Sequence, residues 1–84
     1  MKNDFHEIFC ENMKDELEDI IEDNDLYEAL IAAGLRHEAR TMEDIANDEY
    51  RHAKLYRKML SGIPMSEEMQ SLWDKVHRIF EEHK

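Results

Sequence analysis

The sequence predicts an all-α protein on three observations. The 84-residue chain contains only two glycines and one proline, so few positions interrupt regular structure. Apolar residues recur every three or four positions over long stretches, whereas no window alternates apolar and polar residues as a half-buried strand does. Breaks at Gly34 and around Pro64 divide this recurrence into three helical stretches. We expect one small domain, residues 1–84, with an antiparallel hairpin of two long helices and a shorter third helix.

The first helix is predicted over residues 4–33. Its apolar stripe comprises Phe5, Ile8, Phe9, Met13, Leu17, Ile20, Leu26, Tyr27, Leu30, Ile31 and Ala33. Gly34 is a natural C-terminal stop, because glycine readily adopts the left-handed backbone conformation that ends many helices. A helix of this length spans about 45 Å, which is more than one small domain covers by itself.

The second and third helices are predicted over residues 36–60 and 66–83. The second has an apolar stripe of Met42, Ile45, Ala46, Ala53, Tyr56, Met59 and Leu60. Ser66 can cap the third helix, whose apolar face contains Trp73, Val76 and Phe80. One short hairpin offers too little surface to cover that face fully, so we expect the third helix to pack on the bundle or to build a larger oligomer.

Composition excludes several classes of function. Asp and Glu outnumber Lys and Arg by 21 to 11, which leaves a net charge of −10. Such a surface disfavours binding to nucleic acid and to anionic membranes. Acids interrupt every apolar run, so no transmembrane segment or export signal is recognisable. The lone Cys10 cannot form an internal disulfide or a paired-cysteine metal site, and we expect a cytoplasmic protein.

Four residues suggest a metal site. Glu49 and His52 lie three positions apart, so they project from one helical face, and they fall inside the apolar stripe. Glu16 and Asp23 interrupt the stripe of the first helix in the same way. A hairpin folded at Gly34 places Glu16 level with Glu49 to within about one helical turn. Carboxylates in an apolar stripe are costly unless they are paired or bound to metal.

A simpler interpretation competes for each of these residues. Glu49 and His52 could form a surface charge pair, and Glu16 could be a solvated helical acid. For Asp23 the solvated and the metal-binding interpretations are equally supported. Asp19, at the edge of the stripe, is expected to be solvated.

One chain then offers Glu16, Glu49 and His52, and three ligands would leave one metal underfilled. Two copies packed as a four-helix bundle supply four glutamates and two histidines. That is the ligand set of di-iron and di-manganese carboxylate bundles. Four carboxylates also balance the charge of two divalent cations. We therefore expect a homodimer or larger homo-oligomer with two iron ions per dimer, manganese being the other metal that fits.

The segment from Met13 to Leu60 resembles the ferritin-like superfamily, in particular rubrerythrin-type and short encapsulated-ferritin-like proteins. The resemblance is carried by Met13-Lys14-Asp15-Glu16-Leu17, by Gly34, and by Ile45-Ala46-Asn47-Asp48-Glu49-Tyr50-Arg51-His52-Ala53. The spacing from Glu16 to Glu49 fits the rubrerythrin pattern without a gap. By position, Glu16 resembles the first-helix ligand, Glu49 the bridging or chelating carboxylate, and His52 the imidazole ligand.

The resemblance also implies an activity. It suggests a ferroxidase or a peroxide-reducing oxidoreductase, with O₂ or peroxide as substrate and Glu16, Glu49 and His52 as catalytic ligands. Asp23 stands where the family usually has a tyrosine, and Tyr27 lies one turn further on. With a single cysteine the chain has no rubredoxin centre, so its electron donor would be external. A metal-storage or metal-stabilised helical assembly without turnover is the alternative, and manganese-catalase-like chemistry is a third option.

Overall fold

The fold consists of three α-helices joined by short connections. The computed structural model describes residues 2–82, with α1 at Lys2–Ala32, α2 at Arg36–Met59 and α3 at Glu67–Glu82. No strand occurs in this part of the chain, which confirms the all-α prediction. The first helix begins earlier than the predicted residue 4, and the predicted end at residue 83 lies outside the described residues. None of the three helices is long and apolar enough to cross a membrane.

The turn between α1 and α2 is tight, and Gly34 makes it possible. Gly34 has φ +79° and terminates α1 as predicted. The Leu35 amide donates to the Leu30 carbonyl at 2.9 Å, and the Gly34 amide donates to the Ile31 carbonyl at 3.0 Å. This pair of hydrogen bonds defines a Schellman motif, which satisfies the last carbonyls of α1. The chain therefore reverses within three residues and lays α2 antiparallel along α1.

The start of α3 is fixed by a capping serine. The Ser66 hydroxyl accepts a hydrogen bond from the Met69 amide at 3.1 Å, which confirms Ser66 as the predicted cap. Glu67 and Glu68 occupy the first turn, where carboxylates interact favourably with the helix dipole. Glu68 also reaches Lys14 of α1 at 2.9 Å, so the first turn of α3 is tied to the hairpin.

The hydrophobic core lies between the hairpin and α3. The buried cluster comprises Met13, Leu17, Ile20, Ala53, Leu60, Met69, Trp73 and Val76. Among the described residues, no polar or charged residue is buried. Aromatic contacts extend this packing, since the Tyr50 ring stacks on Phe80 with centroids 4.2 Å apart and lies 6.1 Å from Trp73. The third helix therefore packs on the hairpin and covers one side of it.

The opposite side of the hairpin carries exposed apolar residues. We call this side the open face; it comprises Phe5, Ile8, Glu16, Asp19, Asp23 and Leu26 of α1 with Ile45, Glu49, His52, Leu55 and Met59 of α2. Helical spacing aligns these positions, because successive members lie three or four residues apart, or eight between Ile8 and Glu16. Its large apolar side chains are half exposed, from 43% for Ile45 to 62% for Phe5. The acids and His52 occupy its centre, and the apolar side chains lie around them.

We predict that the packing of α3 contributes much of the stability of the fold. Replacing the buried Trp73 by alanine should lower the free energy of unfolding by about 3 kcal/mol, because it leaves a large cavity against the hairpin. Urea unfolding followed by circular dichroism measures this change. The exposed Lys75 on the same helix provides the control, and Lys75→Ala should change the free energy by less than about 0.5 kcal/mol. Equal effects of the two substitutions would contradict the observed packing.

Candidate metal centre

The candidate site lies at the middle of the hairpin, where two short rows of side chains meet. Glu16, Asp19 and Asp23 occupy successive turns of α1, and Glu49 and His52 occupy successive turns of α2. Each row lies on one helical face because its members are three or four positions apart. The antiparallel arrangement set by the turn at Gly34 brings the rows together. The site is thus a direct product of helical spacing and of the tight connection.

Glu16 and His52 face each other across the two helices. Glu16 Oε2 lies 3.5 Å from His52 Nδ1, and the two side chains are 25% and 47% exposed. Although this separation allows an ion pair when His52 is protonated, Oε2 makes no hydrogen bond and is shielded from solvent. A shielded carboxylate oxygen without a hydrogen-bond donor is destabilising, typically by about 1–3 kcal/mol. The oxygen can therefore gain from a donor or a cation.

Glu49 is surrounded by other acids. Burial raises the pKa of Glu49 to about 8, and a hydrogen bond with Asp23 and the negative charges of Asp23, Asp19 and Glu16 contribute further. Its Oε1 is shielded and has no hydrogen-bond partner, so Oε1 is not the oxygen that bonds to Asp23. At neutral pH the carboxyl therefore keeps its proton in the isolated chain. A cation at this position would replace that proton and relieve the repulsion.

The register differs slightly from the expected one. The sequence placed Glu16 level with Glu49 and left an offset of about one turn for the connection to absorb. In the structure Glu16 contacts His52, one turn beyond Glu49, and Asp23 contributes to the raised pKa of Glu49. Asp19 is exposed as expected, although its negative charge contributes to the raised pKa of Glu49.

The donor types fit a hard divalent metal, but one chain does not complete a site. Among the described residues, no three His, Cys, Asp or Glu side chains are arranged so that they could hold a metal ion. The shielded, unpartnered oxygens of Glu16 and Glu49 nevertheless provide two carboxylate donors near one imidazole. Carboxylate oxygen with imidazole is a donor set typical of iron and manganese sites. Additional donors would have to come from another chain or from solvent.

A groove of about 370 Å³ opens next to the acids. Its lining includes Asp23 and Tyr27 of α1, Tyr50 of α2 and Phe80 of α3. The Tyr50 hydroxyl lies 3.2 Å from His77 Nδ1, and His77 Nε2 lies 3.6 Å from Glu81. Tyr27 therefore borders the same groove as Asp23, as their spacing of four on one helix would place them. The contact of Tyr50 with His77 was missed from sequence, because the spacing of α2 and α3 residues does not reveal which of them meet.

Comparison with family models, with curated proteins and with solved structures found no match for this chain. The resemblance to rubrerythrin-type proteins thus stays a prediction that rests on residues 13–60. A helical hairpin hosts many unrelated functions, so the fold does not select among them. The evidence for a function is therefore the arrangement of Glu16, Asp23, Glu49 and His52 itself.

We predict a characteristic pH dependence of stability for the metal-free protein. The pKa of Glu49 is higher in the folded chain than its ordinary value of 4.5. The stabilisation that protonated Glu49 gives the folded state is therefore fully present below about pH 4.5, and it is lost as the pH rises through about 8. Glu49→Gln keeps the shape of the protonated side chain and should remove this component. Urea unfolding in the presence of a chelator, at about pH 5 and about pH 8, measures the difference.

The matched control is Glu38→Gln, which changes an exposed glutamate on the same helix. This variant should lose stability with rising pH as the wild type does. If Glu49→Gln shows the same loss between the two pH values, Glu49 does not carry the proton that we assign to it.

Proposed function

We propose that two copies of this chain share a di-iron or di-manganese carboxylate centre and act as a ferroxidase or a peroxide-reducing oxidoreductase. The observation that carries the proposal is the pair of shielded, unpartnered oxygens on Glu16 and Glu49. They lie beside His52 at the centre of the open face, whose surrounding apolar side chains are half exposed. Both features would be explained by one event, the packing of a second copy with cations between the two chains.

The open face has the composition expected of such an interface. Its apolar residues would be covered by the same residues of a partner related by a two-fold axis, since a two-fold dimer uses one surface patch twice. The same symmetry would bring two sets of Glu16, Glu49 and His52 to a common centre. Without cations the clustered carboxylates would repel one another, so metal binding and dimerisation should be coupled.

Each side chain would have a distinct role. Glu16 and Glu49 would supply carboxylate oxygens, and His52 would supply an imidazole nitrogen. Asp23 would orient Glu49 through their hydrogen bond, and it would be close enough to take part in the loss of the Glu49 proton. Bound iron would supply the electrons that reduce O₂ or peroxide, and an external donor would restore them. Because Asp23 also lines the groove of about 370 Å³, that groove is a route for small molecules to reach the acids.

The alternative is a metal-storage or metal-stabilised helical assembly without turnover. One observation favours a role without turnover: Glu16 and His52 already contact each other within one chain. In that case the open face would still mediate dimerisation, but oxidation of iron would be no faster than in solution. Dimers that are free of metal and indifferent to chelator would support a purely structural role.

The metal centre is tested by adding Fe(II) without oxygen and then admitting air. Wild-type protein should bind about two iron ions per dimer and develop a near-ultraviolet ferric absorption band faster than iron in buffer. Glu49→Ala should abolish this band. Glu38→Ala, which changes an exposed glutamate of the same helix that lies outside the groove, is the control and should behave as wild type. The proposal fails if Glu49→Ala oxidises and binds iron as wild type does, or if wild type binds none.

The interface is tested by placing a charge on the open face. Leu55 is 51% exposed in one chain, so Leu55→Lys should leave the helical circular dichroism of the monomer unchanged. In the dimer the new ammonium group would be buried without a partner, and association should weaken by at least about tenfold. Sedimentation equilibrium with and without added Mn(II) measures this change.

Leu35 provides a matched control, because it is 47% exposed and lies at the hairpin turn outside the open face. Leu35→Lys should dimerise as wild type does. If both variants remain dimeric, or if wild type is a monomer with metal present, the open face is not the interface.

A further inference from the structure

A second groove lies where α2 ends and the chain connects to α3. It has a volume of about 550 Å³ and is formed by the last turns of α2, the connection to α3 and the first turns of α3. Its polar lining includes Lys54, Arg57 and Lys58 together with Ser61 and Gln70. No carboxylate belongs to this lining. We call it the basic groove, and it stands out in a chain whose net charge is −10.

The three cations of the basic groove are not neutralised by acids. Among the described residues, the ion pairs of basic side chains with acids involve Lys14, Arg51, His52 and His77, and none includes Lys54, Arg57 or Lys58. Acids outnumber Lys and Arg by 21 to 11, so the charge around this groove is opposite in sign to that of the chain as a whole. The charges of the three cations therefore add in one place, which favours an anion there.

Aromatic rings hold two of these cations in position. The Lys54 ammonium lies 4.7 Å from the centroid of the Tyr50 ring, and the Arg57 guanidinium lies 4.3 Å from that of Trp73. A cation–π contact restrains the side chain but leaves its charge uncancelled. A guanidinium over a ring keeps N–H groups that can donate hydrogen bonds to a ligand. Both side chains are thus arranged before a ligand arrives, which reduces the entropy lost on binding.

The helix dipole explains only part of this cluster. Arg57 and Lys58 lie in the last turn of α2, where cations interact favourably with the C-terminal end of a helix. Lys54 lies a turn earlier, and the dipole effect falls off within the last turn. The dipole also does not account for the concave shape or for the half-buried Ile63 and Met65 that line the groove. The groove thus combines cations with an apolar wall, as small-molecule sites commonly do.

We propose that the basic groove binds a small molecule that carries a phosphate group on an apolar or aromatic body. The phosphate would accept hydrogen bonds from Lys54, Arg57 and Lys58, and the body would pack on Ile63 and Met65. Phosphate suits the planar donor fork of arginine and the point charge of lysine. The groove lies on the α3 side of the hairpin, away from the open face, so this proposal is independent of the metal centre.

The test is a titration of ¹⁵N-labelled, full-length protein with phenyl phosphate and with inorganic phosphate, followed by NMR at low salt. Shifts should localise to α2 residues after Lys54 and to the connection that contains Ser61 and Gly62. Phenyl phosphate should bind at least about threefold tighter than inorganic phosphate, because its ring contacts the apolar wall. Arg57→Gln combined with Lys58→Gln should weaken phenyl phosphate binding by at least about tenfold.

The matched control is Arg40→Gln combined with Lys75→Gln, which removes the same charge from exposed positions outside the groove. This double variant should bind phenyl phosphate as wild type does. Similar weakening in both double variants would show nonspecific attraction and overturn the proposal. Shifts scattered over the surface would also overturn the proposal. Equal affinity for the two probes would overturn it as well. Circular dichroism of both double variants verifies that the helices are retained.

Discussion

The central constraint in this structure is the presence of carboxylates where two helices pack. Helix packing removes side chains from water, and a carboxylate tolerates this only with a partner or with a proton. Glu16 is placed against His52, and burial among neighbouring acids raises the pKa of Glu49 to about 8. Neither the contact with His52 nor the retained proton satisfies its glutamate fully, because each glutamate keeps one shielded oxygen without a hydrogen bond. The unsatisfied oxygens make the middle of the hairpin the part of the fold that would gain most from a cation.

The rest of the architecture follows from how the hairpin is covered. The third helix supplies Met69, Trp73 and Val76 to one side, and the core forms there. The other side keeps half-exposed apolar residues around the acids. This asymmetry separates two surfaces with different chemistry. The open face is acidic at its centre and apolar around it, whereas the basic groove concentrates Lys54, Arg57 and Lys58 at the end of α2. An acidic protein thus presents a cation-attracting surface and an anion-attracting surface on different sides.

Much of the fold was predictable because it depends on local interactions. Gly34 ends α1 and Ser66 caps α3, and both positions can be recognised from residue type and context. The grouping of Glu49 with His52 follows from helical spacing alone. Which residues of α1 lie level with which residues of α2 was predictable only to within about one turn, since this register depends on the geometry of a three-residue connection. Within that offset, Glu16 contacts His52, and Asp23 acts together with Glu16 on the pKa of Glu49.

The sequence by itself determined the three helices, the turn that pairs the first two, and the presence of Glu16, Asp23, Glu49 and His52 in their apolar stripes. Periodicity and capping carry this information because they act within one helix. The packing of the helices determines which oxygens are left without partners, which side of the hairpin α3 covers, and that Arg57 and Lys54 lie over aromatic rings. These features depend on contacts between helices, whose rotation and offset no pattern within a single helix specifies.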